Sequence, residues 1–275
     1  DYSREQVTTF SPKSKAILEI QSQRDLDVLT KIYANSVLLG DDGPNGWGIQ
    51  YSREFDMTND SKLFPPRPVW EEWGYRPDEY SRWIKGPWKP IAELWRELNV
   101  TPLPEGERRC AQPPYDTLPL PRADVPAGII LSRDADTWIR EDEIPTVTFT
   151  DANGRPLTIK EGRGKDAVER EITGPAIALP LYQGVMFNQL SLNTKSHVRG
   201  TGFQAVWCEN PSHSRSVVNP QYLMGKPVYG ASGMVSRVAY RRIARTTDSR
   251  TWIGCLMPTM PCADSVFLLV PGVVG

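Results

Sequence analysis

The stretch Ser236–Met257, SRVAYRRIARTTDSRTWIGCLM, has the pattern of two β-strands joined by a tight turn. In its first half the side chains alternate, which places Arg237, Arg241 and Arg245 on one face of the predicted strand. Short polar side chains at 246–249 favour a turn, because they can hydrogen-bond to the local backbone. The sequence therefore predicts a β-hairpin that carries a row of arginines.

Two interpretations fit this arginine-rich pattern. Five arginines lie within fifteen residues, and guanidinium groups bind phosphate oxygens or guanine edges as planar forks. Charged side chains also protect an exposed edge strand from pairing with other chains. The local sequence leaves both a nucleic-acid contact and a solvated edge strand open.

Size and composition restrict the class of protein. The chain has 275 residues and a formal net charge of −1, which is typical of one large domain or two small ones. A charge near zero disfavours a generic polyanion binder but allows a local basic surface. Twenty-five prolines interrupt the chain so often that we expect many short strands and long ordered loops.

The four cysteines, Cys110, Cys208, Cys255 and Cys262, form no CxxC pair, so no zinc or other metal site is predicted. Few cysteines at irregular spacing suit a reducing cytoplasm. No apolar run approaches the roughly 20 residues of a membrane span. Because the chain begins without a methionine, we expect it to be a piece of a longer protein.

The first part of the chain predicts helices and long loops. A helix is expected over 12–34, with Ser11 as its N-cap and an optional break near Ser22, and a short second helix around 91–98. Between them, residues 65–105 are rich in tryptophan and proline; their aromatic rings either pack in the core or stack on unpaired bases. We interpret residues 1–120 as a helical spacer followed by a connecting region.

The second part, 121–275, predicts a mostly β domain, so the fold class is α+β. A hairpin is expected from 146–150 and 155–159, because Asn-Gly in the turn 151–154 favours primed turns. Two loops carry cations suited to phosphate contacts. These cations are Arg163, Lys165, Lys195 and Arg199.

Several segments resemble adenine-specific DNA methyltransferases of the type IIG restriction–modification and phage-defence kind. Residues 241–251, RRIARTTDSRT, resemble the family pattern R-x-I-A-R-x-T-[DN]-x-R-T. Residues 179–186 resemble its L-P-L-Y-E-G-K-M element, and 219–224 resemble its P-Q-Y-L-M element. Residues 43–48 and 55–64 are similar to the segment that follows the methylase core. The four motifs occur in the family's order.

The family's catalytic motifs do not occur here in their usual places. The glycine-rich motif that holds S-adenosylmethionine is absent, and Gln112-Pro-Pro-Tyr115 follows rather than precedes the 55–64 segment. His197 has no serine, cysteine or acidic partner placed by sequence to make it a catalytic base. The resemblance therefore implies a C-terminal target-recognition region that contains no catalytic residues of its own.

The resemblance also implies partners and a cofactor. The partners are double-stranded DNA and a methyltransferase domain of the same parent chain, which would bind S-adenosylmethionine. The expected DNA-binding or motif-stabilising residues are Arg241, Arg242, Arg245, Arg250, Lys195, Arg199, Arg163 and Lys165. Two alternatives remain open: a self-contained S-adenosylmethionine-dependent methyltransferase, and a protein-interaction module of a phage-defence system that uses residues 65–98.

Overall fold

The structure is a computed structural model that describes residues 3–12, 14–41, 43, 46–101, 119–161, 168–211, 217–230, 237–244, 248 and 252–271. The chain divides into two compact units, one formed by 1–52 with 269–275 and the other by 53–268. The architecture is mixed α+β and mostly β, with small antiparallel sheets, as the sequence predicts. The separation of roles at residue 120 stays a prediction.

The described residues form five short α-helices. They are α1 (Arg4–Phe10), α2 (Gln23–Ala34), α3 (Arg67–Glu72), α4 (Ile91–Glu97) and α5 (Lys226–Tyr229). Helix α4 confirms the helix predicted around 91–98. Within the smaller unit α1 and α2 contact each other, and the Tyr33 hydroxyl donates to the Phe10 carbonyl at 2.9 Å.

The predicted helix over 12–34 is wrong in its first half. Ser3 and Gln6 form a capping box that starts α1 earlier, so Ser11 lies at the C-terminal end of a helix rather than at the start of one. The second helix begins only after Ser22, whose hydroxyl accepts from the Asp25 backbone N–H at 3.2 Å. The allowed break near Ser22 is where the second helix begins, whereas the described residues of 12–21 are not helical.

Seventeen β-strands lie in the described residues. They are β1 (Ile49–Ser52), β2 (Arg76–Pro77), β3 (Trp83–Ile84), β4 (Lys89–Pro90), β5 (Ile129–Leu131), β6 (Thr137–Arg140), β7 (Thr146–Thr148), β8 (Thr158–Glu161), β9 (Val168–Glu171), β10 (Thr173–Pro175), β11 (Ile177–Pro180), β12 (Lys195–Arg199), β13 (Val206–Glu209), β14 (Leu223–Gly225), β15 (Arg237–Arg241), β16 (Gly254–Met257) and β17 (Val266–Pro271).

The arginine-bearing strand β15 pairs antiparallel with β16, which confirms the predicted strand pairing. The register places Ala239 opposite Cys255. The predicted turn at 246–249 lies between these two strands. Of its four residues, only Asp248 is among the described residues. Strand β15 lies between β17 and β16, so the interpretation as a solvated edge strand is wrong.

The predicted hairpin around Asp151–Gly154 is only partly right. The turn forms, with Gly154 at a φ of +78° and a short bridge between Thr150 and Pro156. Strand β7, however, pairs with β10, while β8 pairs with β9. The sequence predicts the turn correctly, because Asn-Gly tolerates a positive φ. It does not predict the partner of β7, which comes from a segment more than twenty residues further along.

Three of the segments that resemble the methyltransferase family, 55–64, 179–186 and 219–224, lie in the larger unit and pair with other parts of it. Strand β11 pairs with β14, which places Leu179 opposite Met224. Phe55 and Tyr182 make parallel bridges to neighbouring residues at 262–263. The 179–186 and 219–224 segments are mostly buried in the core of this unit, whereas 55–64 buries Phe64 and leaves its other side chains partly or fully exposed.

The tryptophan-rich segment is mainly a packing element. Trp70, Trp83 and Trp95 are buried, and each belongs to a hydrophobic cluster. Trp70 alone contacts three other aromatic rings, two of them edge to face, which is a favoured geometry because ring edges are positive and ring faces negative. The core-packing interpretation is confirmed for these three residues.

Candidate nucleic-acid interface

Two of the predicted DNA-binding residues line the same cleft. Lys195 from β12 and Arg241 from β15 share a cleft of about 390 Å³, which we call the lysine–arginine cleft. Its other lining residues are Gly184, Val185, Ile243, Asp248 and Ser265. The fold thus joins two cations that the sequence separates by 46 positions.

Both cations of this cleft already have partners within the protein. The Lys195 ammonium lies 2.9 Å from a Glu209 carboxylate oxygen across the β12–β13 pair. The Arg241 guanidinium donates to the Phe187 carbonyl through Nε at 3.0 Å and also through a terminal nitrogen. Arg241 therefore fixes the backbone at 187 while one side of the residue lines the cleft.

The other predicted residues lie elsewhere. Arg199 is exposed at the end of β12, and Arg242 is half-exposed, 3.3 Å from an Asp264 carboxylate oxygen. The remaining four predicted residues lie outside the described residues; they are Arg163, Lys165, Arg245 and Arg250. The Gln112–Tyr115 segment lies outside them too. A DNA contact by any of these residues stays a prediction.

Strand β15 directs its arginines toward the interior. Arg237 and Arg241 share a face with Ala239, which is fully buried. The Arg237 guanidinium pairs with Glu54 and donates to the Met260 carbonyl at 2.6 Å. Sequence analysis missed Glu54, because a partner 183 positions away leaves no local pattern. These two arginines stabilise the fold instead of forming a solvent-facing row.

Strands β8 and β9 form an exposed two-stranded ribbon, which we call ribbon A. Every described side chain of the two strands is exposed, so neither face of the ribbon packs on a core. Ile159 lies opposite Arg170, and Lys160 opposite Glu169. The connection at 162–167 lies outside the described residues. Ribbon A therefore offers side chains on both faces to a partner.

Strands β12 and β13 form a second ribbon, ribbon B, which is anchored at its base and exposed at its outer end. Ser196 and His197 are buried, and the backbone N–H of His197 donates to the Asn219 carbonyl at 2.9 Å. Beyond a β-bulge, Val198 and Arg199 are exposed. Bulges increase the local twist of a strand pair and redirect its side chains.

A buried histidine stabilises the base of ribbon B. His197 Nε2 lies 2.8 Å from the Gly200 carbonyl, which fixes Nε2 as the protonated nitrogen. Its Nδ1 is buried without a hydrogen-bond partner among the described residues, and its ring packs edge to face on Trp207 at 5.3 Å. Burial lowers the pKa of His197, and the nearby Arg67 charge lowers it further.

This histidine predicts a pH-dependent stability. Because the folded pKa lies below the ordinary value of about 6.5, the unfolded chain takes up the proton first. We expect the free energy of unfolding to fall as the pH drops below about 7, and to level off below the folded pKa. His197→Gln, whose amide can still donate to Gly200, should flatten this dependence in urea denaturation at pH 7.5, 6.5 and 5.5.

The second histidine provides the control. His213 lies outside the described residues, and a His213→Gln variant measured in the same way isolates its contribution. An unchanged pH dependence in the His197→Gln variant would show that His197 is protonated equally well in the folded chain.

Comparison with known proteins identified no relatives: no protein-family model, no curated protein and no solved structure matches this chain. Within the described residues, no helix has both the length and the apolar character needed to cross a membrane. The same residues contain no group of three or more His, Cys, Asp or Glu side chains placed to hold a metal ion.

Proposed function

We propose that this chain is a target-recognition region that binds double-stranded DNA and positions it for adenine methylation. The observation that carries the proposal is the pair of exposed ribbons on a buried framework. The major groove of B-DNA admits a two-stranded β-ribbon, and its base edges can be read by side chains placed there. Two such ribbons would read adjacent parts of one site.

The division between framework and ribbons agrees with the logic of sequence recognition. Segments shared by proteins with different target sequences should not read bases, and two of the family-like segments here, 179–186 and 219–224, are mostly buried. The ribbons carry exposed cations, among them Lys160, Arg170 and Arg199, together with uncharged side chains and the exposed carboxylates of Glu169, Glu171 and Glu209. Cations supply salt-dependent contacts to phosphates, and hydrogen bonds to base edges supply specificity.

The chemistry itself would belong to a domain of the parent protein outside this chain. A methylase must extrude its target base from the helix, so recognition and methyl transfer need separate surfaces. In this proposal S-adenosylmethionine binds that other domain, residues 1–120 act mainly as spacer and connection, and the ribbons hold the duplex in register. Tight stoichiometric binding of S-adenosylmethionine to this chain would contradict the proposal.

The test is duplex binding as a function of salt. The purified chain should bind a mixed-sequence duplex pool more weakly as salt rises from 50 to 200 mM. Arg199→Ala should weaken binding to all sequences alike and reduce the magnitude of the slope of log K against log salt by about 1, which is the loss of one phosphate contact. Fluorescence anisotropy at several salt concentrations gives both values.

Arg96→Ala is the matched control, because Arg96 is also exposed but lies on α4, outside both ribbons. It should leave affinity and slope unchanged. Absence of duplex binding at 50 mM salt, or equal losses in the Arg199 and Arg96 variants, would overturn the proposal. A changed sequence preference in the Arg199 variant would assign that residue to base reading instead.

A further inference from the structure

The larger unit contains a second cleft whose walls are aromatic. Trp70, Trp73, Tyr75 and Phe149 line a cleft of about 190 Å³, which we call the aromatic cleft. Its remaining lining residues are Lys85, Val147, Thr148 and Thr150. Helix α3 and the turn after it supply the indoles and the phenol, while β7 and the residues next to it supply the opposite wall.

The walls of the aromatic cleft are held firmly in place. Trp70 is almost fully buried; its ring centroid lies 5.3 Å from Trp73 and 4.9 Å from Tyr75, and its Nε1 donates to the Pro65 carbonyl at 3.2 Å. Such interlocked rings keep a fixed geometry, since each restricts the rotamer of the next. A ligand would therefore enter a preformed site.

Three side chains that line this cleft have polar groups without a side-chain partner among the described residues. Tyr75 is only 5% exposed and lines the cleft, and among the described residues its hydroxyl makes no hydrogen bond. Burial raises the pKa of Tyr75 to about 12, so its phenol keeps its proton at neutral pH and can donate. Within the same part of the chain, neither the Trp73 indole N–H nor the Lys85 ammonium has a side-chain partner.

These features define the chemistry of a ligand. Aromatic walls favour a flat ring, the unpaired donors favour acceptor atoms on that ring, and the exposed Lys85 favours an attached anion. Sites for whole drug-sized ligands occupy about 300–1,000 Å³, so a cleft of 190 Å³ has room for a single ring system. The anion would then stay outside at Lys85.

We propose that the aromatic cleft binds one unpaired nucleobase, with the adjoining phosphate at Lys85. A free nucleotide and an unpaired base in a DNA strand share this chemistry. The proposal does not require duplex recognition by the ribbons, because none of the ribbon residues lines this cleft.

Titration of the chain with dAMP and with single-stranded dT12 distinguishes the two sources. Calorimetry should detect binding of dAMP if a free nucleotide suffices, and of dT12 alone if the site needs a strand. Either outcome supports the proposal. Absence of binding by both probes at millimolar concentration would overturn it, even where duplex binding by the ribbons is intact.

Two variants test the site itself. Trp73→Ala should weaken binding of the effective probe about 5- to 150-fold, the usual range for loss of one base–aromatic stack. Lys85→Ala removes an exposed side chain without disturbing the core and should weaken binding and reduce its salt dependence. Trp47→Ala, at an exposed indole that does not line the cleft, is the control and should bind normally. Normal binding by the Lys85 variant, or equal losses in the Trp47 and Trp73 variants, would overturn the assignment.

Discussion

Replacing Arg237 by methionine should lower the free energy of unfolding by about 2–4 kcal/mol, because it leaves a largely buried carboxylate without its cation. The side chains of Arg237 and Glu54 are only 18% and 17% exposed. Glu54 also accepts from the Cys262 backbone N–H at 2.9 Å and from the Tyr229 hydroxyl at 3.1 Å. Urea denaturation of the variant measures the loss.

A surface ion pair provides the comparison for this experiment. Arg242→Met breaks the pair with Asp264, whose side chains are 45% and 27% exposed, and should cost less than about 1 kcal/mol. The double variant Arg237→Met with Glu54→Gln should lose less than the sum of the two single variants, since the unpaired charge is gone. Additive losses, or a loss below about 1 kcal/mol for Arg237→Met, would contradict an interior ion pair.

Replacing Trp138 by alanine should cost about 3–5 kcal/mol, the usual range for removing a fully buried large aromatic side chain. Trp138 is fully buried on β6, the central strand between β4 and β5. Its ring also lies beneath two cations, with the Lys89 ammonium 5.1 Å and the Arg140 guanidinium 5.4 Å from its centroid. Thermal or urea unfolding gives the change.

A Trp138→Phe variant separates the effect of losing ring volume from the effect of losing the indole N–H. The Trp138 Nε1 is buried and has no hydrogen-bond partner among the described residues. Trp138→Phe removes this unsatisfied N–H while it keeps most of the ring volume, so the loss should be well under half that of alanine. Similar losses for phenylalanine and alanine would mean that the indole N–H contributes a hydrogen bond.

The arginine-rich hairpin illustrates which parts of the fold local sequence can predict. Period-two alternation correctly placed Arg237 and Arg241 on one face of a strand that pairs with the following one. Alternation distinguishes two faces but does not say which one is buried, and here the arginine face contains the buried Ala239. Which face of β15 is buried depends on Glu54 and Phe187, which contact its arginines from distant parts of the chain.

The candidate sites depend in the same way on long-range pairing. Lys195 and Arg241 were both predicted from their local surroundings, but their shared cleft follows from the tertiary fold. Core packing was one of two roles predicted for the tryptophan-rich segment, and Trp70, Trp83 and Trp95 adopt it. The aromatic cleft exists because β7 and Phe149 meet Trp70 and Tyr75. Pairing of β7 with β10, which the turn signal did not reveal, contributes to that placement.

Ribbon A is a part of the larger unit where side chains can change with little effect on the core. Its two strands pair only with each other, and its described side chains are all exposed. Substitutions in ribbon A do not have to preserve a buried volume, as at Trp138, or an interior ion pair, as at Arg237. We therefore expect the exposed positions of ribbon A to accept substitutions that alter binding preference at little cost to the free energy of unfolding.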